Sequence, residues 1–169
     1  MKIQLAVICC DIRSAHNVGS IFRSCDAFGV KRLYLCGVSP WPPLKNDGRL
    51  PYLAAKNGRA IAKTALGAEK SVAFEYQPDA SLLIRKLKND GWRIIALEQA
   101  ANSQPLRGMS PSGRVALLLG EEVRGLPQAL LDQADTIAEI RMRGHKESLN
   151  VAVAAGIALY QLTGNSQKG

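Results

Sequence analysis

Short apolar runs and helically spaced apolar stripes succeed one another along this chain. Residues 4–10 form a compact run rich in Val and Ile, the pattern of a buried strand. Similar runs fall at residues 33–36, 71–76, 93–97, 115–119 and 136–140. Between them lie segments of helical spacing at 19–28, 59–65, 79–89, 126–133 and 147–162. In the first, Ile21, Cys25 and Phe28 share a face and Gly29 ends the pattern. In the third, Asp79 suits an N-cap, and Leu82, Leu83 and Leu87 are expected to point inward. This alternation predicts an α/β fold with a mostly parallel sheet and helices on both faces. Residues 11–17 read as a polar loop. Residues 37–58, with Pro40, Pro42, Pro43 and Pro51, read as a long loop of the kind that carries function or moves. The length of 169 residues fits one domain over 1–164, with 165–169 as a disordered tail.

The last helical segment differs from the others. From Leu149 onward nearly every turn is apolar on all sides, which predicts a buried helix. Ser148 and Asn150 fall in its first turn, and buried polar groups require partners. A ligand or a hydrogen-bond network is therefore expected there, beside the basic residues Arg141, Arg143, His145 and Lys146.

Charge narrows the partners. The 22 Lys+Arg against 14 Asp+Glu give a net charge of +8, which suits nucleic acid and equally a solubility surplus. Cys9, Cys10, Cys25 and Cys36 contain no C-x-x-C pair, so neither a zinc site nor a disulfide framework is expected. Buried free thiols suit a reducing cytoplasm, and no signal-peptide pattern or membrane-length apolar stretch appears. A cytoplasmic protein without a membrane partner is the expectation. His16 and His145 lie far apart in sequence with no carboxylate or cysteine cluster around either, which argues against a metal centre or a Ser/His triad. The first strand is followed by neither a dinucleotide-binding glycine pattern nor a phosphate loop.

Three segments remain, each where a strand gives way to a polar or glycine-bearing turn, the usual ligand side of an open α/β sheet. The first holds Asn17, Gly19 and Arg23. Either Ser14 or Asn17 serves as a helix cap there, and Arg23 by itself is compatible with a solvated surface. The second holds Gly120, Glu121, Glu122 and Gly125 directly after a buried strand. The third is Ser148-Leu149-Asn150-Val151 and the Ala/Gly-rich helix behind it.

In order and separation these motifs resemble those of the SpoU (TrmH-like) RNA ribose methyltransferases of the SPOUT superfamily, over nearly the whole chain. Two departures are visible. Arg141 stands where the family usually has proline, and Ala152 where serine often follows the third motif. The resemblance implies a C-terminal deep trefoil knot, a homodimer with the final helix at its interface, and S-adenosylmethionine as cofactor. It implies cofactor contacts at Leu119, Gly120, Glu121, Gly125, Ile140, Met142, Gly144, Ser148, Leu149 and Asn150. Close approach and unusual dihedrals would then account for Gly120, Gly125 and Gly144. It implies catalytic roles for Arg23, Asn17, Glu122, Ser148 and Asn150 in methylating a ribose 2′-hydroxyl of tRNA or rRNA. Arg13, Arg23, Lys45, Arg49, Lys56, Arg59, Lys63, Arg141, Arg143 and Lys146 are the candidate RNA contacts, with Trp41 and Tyr52 available to stack on bases. Alternatives within the fold are a base-methylating enzyme and a non-catalytic RNA-binding or ribosome-assembly factor.

Overall fold

The computed structural model describes residues 3–164, so the expected tail at 165–169 lies outside the described residues. The apolar run at the start forms β1 (Gln4–Cys10), buried after its first residue. It lies near the centre of the sheet, between β2 (Arg32–Cys36) and β6 (Arg114–Leu119). The outer strands are β3 (Phe74–Gln77), β4 (Arg93–Leu97), β5 (Gln104–Pro105) and β7 (Thr136–Glu139). Among the described residues seven strands pair in the order β3-β2-β1-β6-β4-β7-β5, every pairing parallel. Such a sheet has all its strand carboxyl ends on one edge, and that edge gathers the loops of interest.

Alternation along the strands divides the core. Leu5, Val7 and Cys9 point to the face covered by α1 (Ala15–Ala27), α2 (Pro51–Ala65), α3 (Ala68–Ser71) and α6 (Val151–Thr163). Ala6, Ile8 and Cys10 point to the face covered by α4 (Ala80–Asn89) and α5 (Gln128–Leu131). All four cysteines are buried and free. Burial, with Asp11 alongside, pushes the Cys10 thiol up to about 12, so it stays protonated and packs as a small hydrophobe. No helix among the described residues is long and apolar enough to cross a membrane.

Several boundaries differ from those expected, each for a local reason. Helix α1 starts at Ala15 because Ser14 caps it by accepting the Asn17 N–H at 3.2 Å, so Asn17 lies inside the first turn. The long loop ends at Leu50, since Pro51 supplies the fixed φ that suits the first helical position and alanines carry the helix on. Ser71 belongs to α3, and the third strand begins only at Phe74. Leu82 is 59% exposed; the inward side of α4 is Leu83, Ile84 and Leu87. Two-residue β5 carries no periodic signal that a sequence could show. Helix α6 starts at Val151 and not in the preceding basic tract, and Ser148 and Asn150 are exposed. That helix is not buried all round: Val153 and Tyr160 are 51% and 68% exposed.

Helix α1 owes its place to Gly19. A Cβ there would collide with the Thr64 hydroxyl and the Ile61 carbonyl of α2, so the helices touch backbone to backbone. A threonine side chain can rotate away, whereas a helical carbonyl cannot. Gly19→Ala should therefore force the pair apart and cost about 1–3 kcal/mol, as overpacking does elsewhere. Urea unfolding should show a lower midpoint at unchanged slope; an unchanged midpoint would refute the close approach.

Candidate active site

Four loops meet at the carboxyl edge of the sheet: those after β1, β4, β6 and β7. The last three of these, with the start of α6, enclose a cavity of about 220 Å³, and the loop after β1 joins them through bonds from Arg13 and Ser14 to Glu122. Of the expected cofactor residues, Leu119, Gly120, Glu121, Gly125, Ile140, Met142, Ser148 and Leu149 line it. Gly144 and Asn150 do not. Gly144 also has no positive φ and open space where a Cβ would stand, so no geometric demand for glycine exists at that position.

The loop after β6 explains its glycines. Glu121 and Gly125 pair across a tight turn, with the Gly125 N–H donating to the Glu121 carbonyl at 3.1 Å. A Cβ on Gly120 would lie 2.7 Å from the Gly125 oxygen, and Gly125 itself adopts φ 68°. Beneath this turn sits Glu98, just past β4, which accepts the Leu126 N–H at 2.9 Å and the Gln99 N–H at 2.9 Å. The Gln99 side chain donates to the Glu147 carbonyl at 2.7 Å, tying the loop after β7 to the same support. Leu97, Glu98 and Gln99 line the cavity and were missed from sequence. Their signal was present, since they end a buried strand of the predicted sheet.

At the mouth of the cavity one chain of side-chain hydrogen bonds joins the three motifs. The Asn150 amide donates to Asn17 Oδ1 at 3.1 Å, and the Asn17 amide donates to Glu122 Oε1 at 2.9 Å. Glu122 also accepts the backbone N–H groups of Arg13 and Ser14, each at 3.3 Å. Asn150 caps α6 by accepting the N–H groups of Ala152 at 2.9 Å and Val153 at 3.3 Å. Partial burial pushes the Glu122 carboxyl up, but the hydrogen bonds from Asn17, Arg13 and Ser14 outweigh it and hold the group below its usual range. Ser148 lines the cavity and its hydroxyl has no hydrogen-bond partner among the described residues, which leaves it available to a ligand.

Glu121 sits beside this chain, with its side chain only 8% exposed. Arg124 bonds it at 2.7 Å and Arg13 at 3.3 Å. The Arg124 hydrogen bond is the main reason its carboxyl falls to about 2.

Arg23 is absent from the cavity lining and lies exposed on α1. The other basic candidates divide in two. Lys45, Lys56, Arg59, Lys63, Arg143 and Lys146 are exposed; Arg141, also exposed, pairs with Glu139 at 3.2 Å. Arg49 is instead committed within its own loop. It bonds Asp47 at 2.8 Å and the Trp41 carbonyl at 2.9 Å, and lies 4.0 Å over the Trp41 ring. Trp41 in turn stacks on Tyr76 at 3.7 Å, so neither of its faces is free for a base. The expectation that Arg49 and Trp41 are open to RNA is corrected by this stack. Tyr52, by contrast, is 69% exposed. No group of His, Cys, Asp and Glu among the described residues is placed to hold a metal ion.

Comparison with known proteins places this arrangement in a class. The model of the SpoU rRNA Methylase family matches residues 4–160, and the chain belongs to that family. Among curated relatives, the 23S rRNA (guanosine-2′-O-)-methyltransferase of Coxiella burnetii is 30% identical, over 94% of this chain and 57% of its own. The chain spans 57–59% of the length of that relative and of two staphylococcal ones. Among solved structures, the TrmH/SpoU tRNA modifying enzyme of Aquifex aeolicus superposes with a TM-score of 0.76 at 28% identity, covering 94% of this chain and 73% of that one. An AdoMet-bound rRNA methyltransferase from Sinorhizobium meliloti gives 0.75 at 27% identity, over 94% of this chain and 55% of that one.

The depressed Glu121 carboxyl gives a pH test. Its folded pKa of about 2 lies below the ordinary 4.5, so its contribution to stability is complete above pH 4.5 and is lost as pH falls toward 2. Thermal melts across that window should show a fall in the wild type that is smaller in Glu121→Gln. Parallel pH profiles for the two proteins would refute the assignment.

Proposed function

We propose that this chain is a single catalytic domain over residues 1–164, and that it methylates a ribose 2′-hydroxyl of tRNA or rRNA with S-adenosylmethionine as donor. The observation that carries the reading is the Glu122–Asn17–Asn150 chain, which gathers the three motifs at the mouth of one cavity. The cavity suits the cofactor chemically. Leu97, Ile140 and Leu149 offer apolar walls for a flat base, and the turn from Gly120 to Gly125 exposes backbone to a close ligand. The AdoMet-bound state of the Sinorhizobium meliloti neighbour supports the same assignment. When bound, the cofactor supplies an electrophilic methyl group on a sulfonium centre.

The protein's own residues then have distinct tasks. Asn17 spends its carbonyl on Asn150 and one amide hydrogen on Glu122, so it positions the loops and keeps one N–H for the ribose. Glu122 anchors the start of α1. Ser148 presents a free hydroxyl to the cavity. Arg23 serves by charge: its guanidinium offers donors and no acceptor, so it clamps a phosphate and stabilises the oxyanion that develops on the 2′-oxygen.

The proposal includes a homodimer. Val153, Ile157 and Tyr160 form an exposed apolar stripe on α6, at 51%, 41% and 68% exposure, which a second copy would cover. Arg23 neighbours Ser24, which packs on Gly156 of the same helix, so the arginine belongs to an element beside that stripe. It also includes the trefoil knot, an exception to the rule against threaded chains. Its support is that the connection from β5 to β6, holding Leu106 and Met109, packs on the face that also carries α6, with Gln161 donating to the Met109 carbonyl at 3.1 Å.

Two measurements test these statements. Arg23→Ala should lower methyl transfer to ribose by about 100-fold or more, as loss of an oxyanion-stabilising group does, while calorimetry finds cofactor affinity unchanged. Near-normal turnover would overturn the role. Ile157→Glu should convert the protein to monomers in sedimentation analysis, and a variant that stays dimeric would remove α6 from the interface.

A further inference from the structure

The basic side chains of α2 are arranged along one line. Tyr52, Lys56, Arg59 and Lys63 recur at i, i+4, i+7 and i+11, which places them on one side of a helix. All four are exposed. Helix α2 contains no acidic residue, and none of its three cations takes part in an ion pair among the described residues. Arg13, Arg32, Arg49, Lys88, Arg124 and Arg141 are held by carboxylates, and other cations such as Arg85 and Lys86 of α4 are unpaired as well among the described residues; what distinguishes α2 is three unpaired cations in one helical row. The opposite side is locked inward by Ile61 and Ala65, and by Gly58, where a Cβ would stand 2.7 Å from Pro43. The helix cannot roll to hide its charges.

Both ends of the line are anchored. At the far end, the Thr64 hydroxyl next to Lys63 donates to the His16 carbonyl at 2.8 Å, one residue from Asn17. The cations therefore run toward the hydrogen-bonded cluster of the active site. At the other end lies the loop stiffened by the Arg49–Trp41–Tyr76 stack.

We propose that the outer face of α2 is a rail for the sugar–phosphate backbone of structured RNA, leading a strand to the methylation site; this rests on the function proposed above. The line from residue 52 to 63 is about 16 Å long at 1.5 Å per residue, with a charge at nearly every turn. Evenly spaced unpaired cations match a phosphodiester chain. Two of the three are lysines, point charges with no geometry for reading a base, so the rail positions RNA without selecting sequence. Tyr52 closes the row as a stacking surface for an unpaired nucleotide.

Salt dependence tests this directly. Binding of an unmodified tRNA transcript would be measured across a salt series for the wild type and for Lys56→Ala/Arg59→Ala/Lys63→Ala, with melting and S-adenosylmethionine calorimetry as controls on folding and cofactor site. Loss of three phosphate contacts should reduce the slope of log K against log salt by about 2–3, at about 0.7–0.9 per contact. Tyr52→Ala should weaken binding at unchanged slope. Arg85→Ala/Lys86→Ala on α4, across the sheet, should leave the slope unchanged. The rail is overturned if the triple variant keeps the wild-type slope, or if the α4 pair lowers it as much per charge. A wild type that binds the cofactor but neither the tRNA transcript nor an unmodified rRNA transcript would overturn the functional reading as well, which separates the two failures.

Discussion

The site depends on one thread of hydrogen bonds, Glu122 to Asn17 to Asn150. Its bonds span 105 and 133 positions of sequence and join the turn after β6 to the starts of two helices. A typical hydrogen bond adds only about 1 kcal/mol net, so energy alone does not explain its importance. Its effect is positional. Asn17 lies in the first turn of α1 and Asn150 is the cap of α6, so the thread sets the starts of both helices. Glu122 meets the same helix end with a carboxylate and two accepted backbone N–H groups, where negative charge is favoured.

The sheet beneath supplies what the thread cannot. Parallel pairing aligns the ends of β1, β6, β4 and β7, which brings their loops within reach of one another. Glu98 then supports the turn after β6 from below, and Gln99 holds the loop after β7. Two of the loops that line the cavity are thus held by residues outside the three motifs. Close approach of Glu98 to Gly125 accounts for glycine at that turn, because any side chain would displace the carboxylate that holds it.

Where periodicity and burial agree, the chain was legible. The β1 run and the strand before Gly120 alternate between two covered faces, and the parallel sheet followed from them. The cavity was legible through Gly120, Gly125, Ile140 and Ser148, because strand ends and motif spacing mark the same loops. Other features were not local enough to read. Asn17 is ambiguous in sequence, since the choice between cap and first turn depends on Ser14 taking the cap. Arg49 looks like a free cation until Asp47 and Trp41 close around it. Glu98 has no motif, and its importance lies in a contact with Leu126 that only the fold creates.

Helix α6 shows a different limit of sequence reading. Its apolar residues occupy every side, which reads as full burial, yet Val153, Ile157 and Tyr160 meet solvent in one chain. Hydrophobic pattern records the surroundings a segment has in its working state, and a single chain is only part of those surroundings if the proposed dimer forms. The same reasoning bears on Arg23, which the motif assigns to catalysis while the fold leaves it outside its own cavity. An uncovered apolar stripe and an arginine away from the cavity, on two helices packed against each other, are both accounted for by one second copy. Misfit between pattern and burial is therefore informative here, because it marks the surface on which the proposed assembly would form.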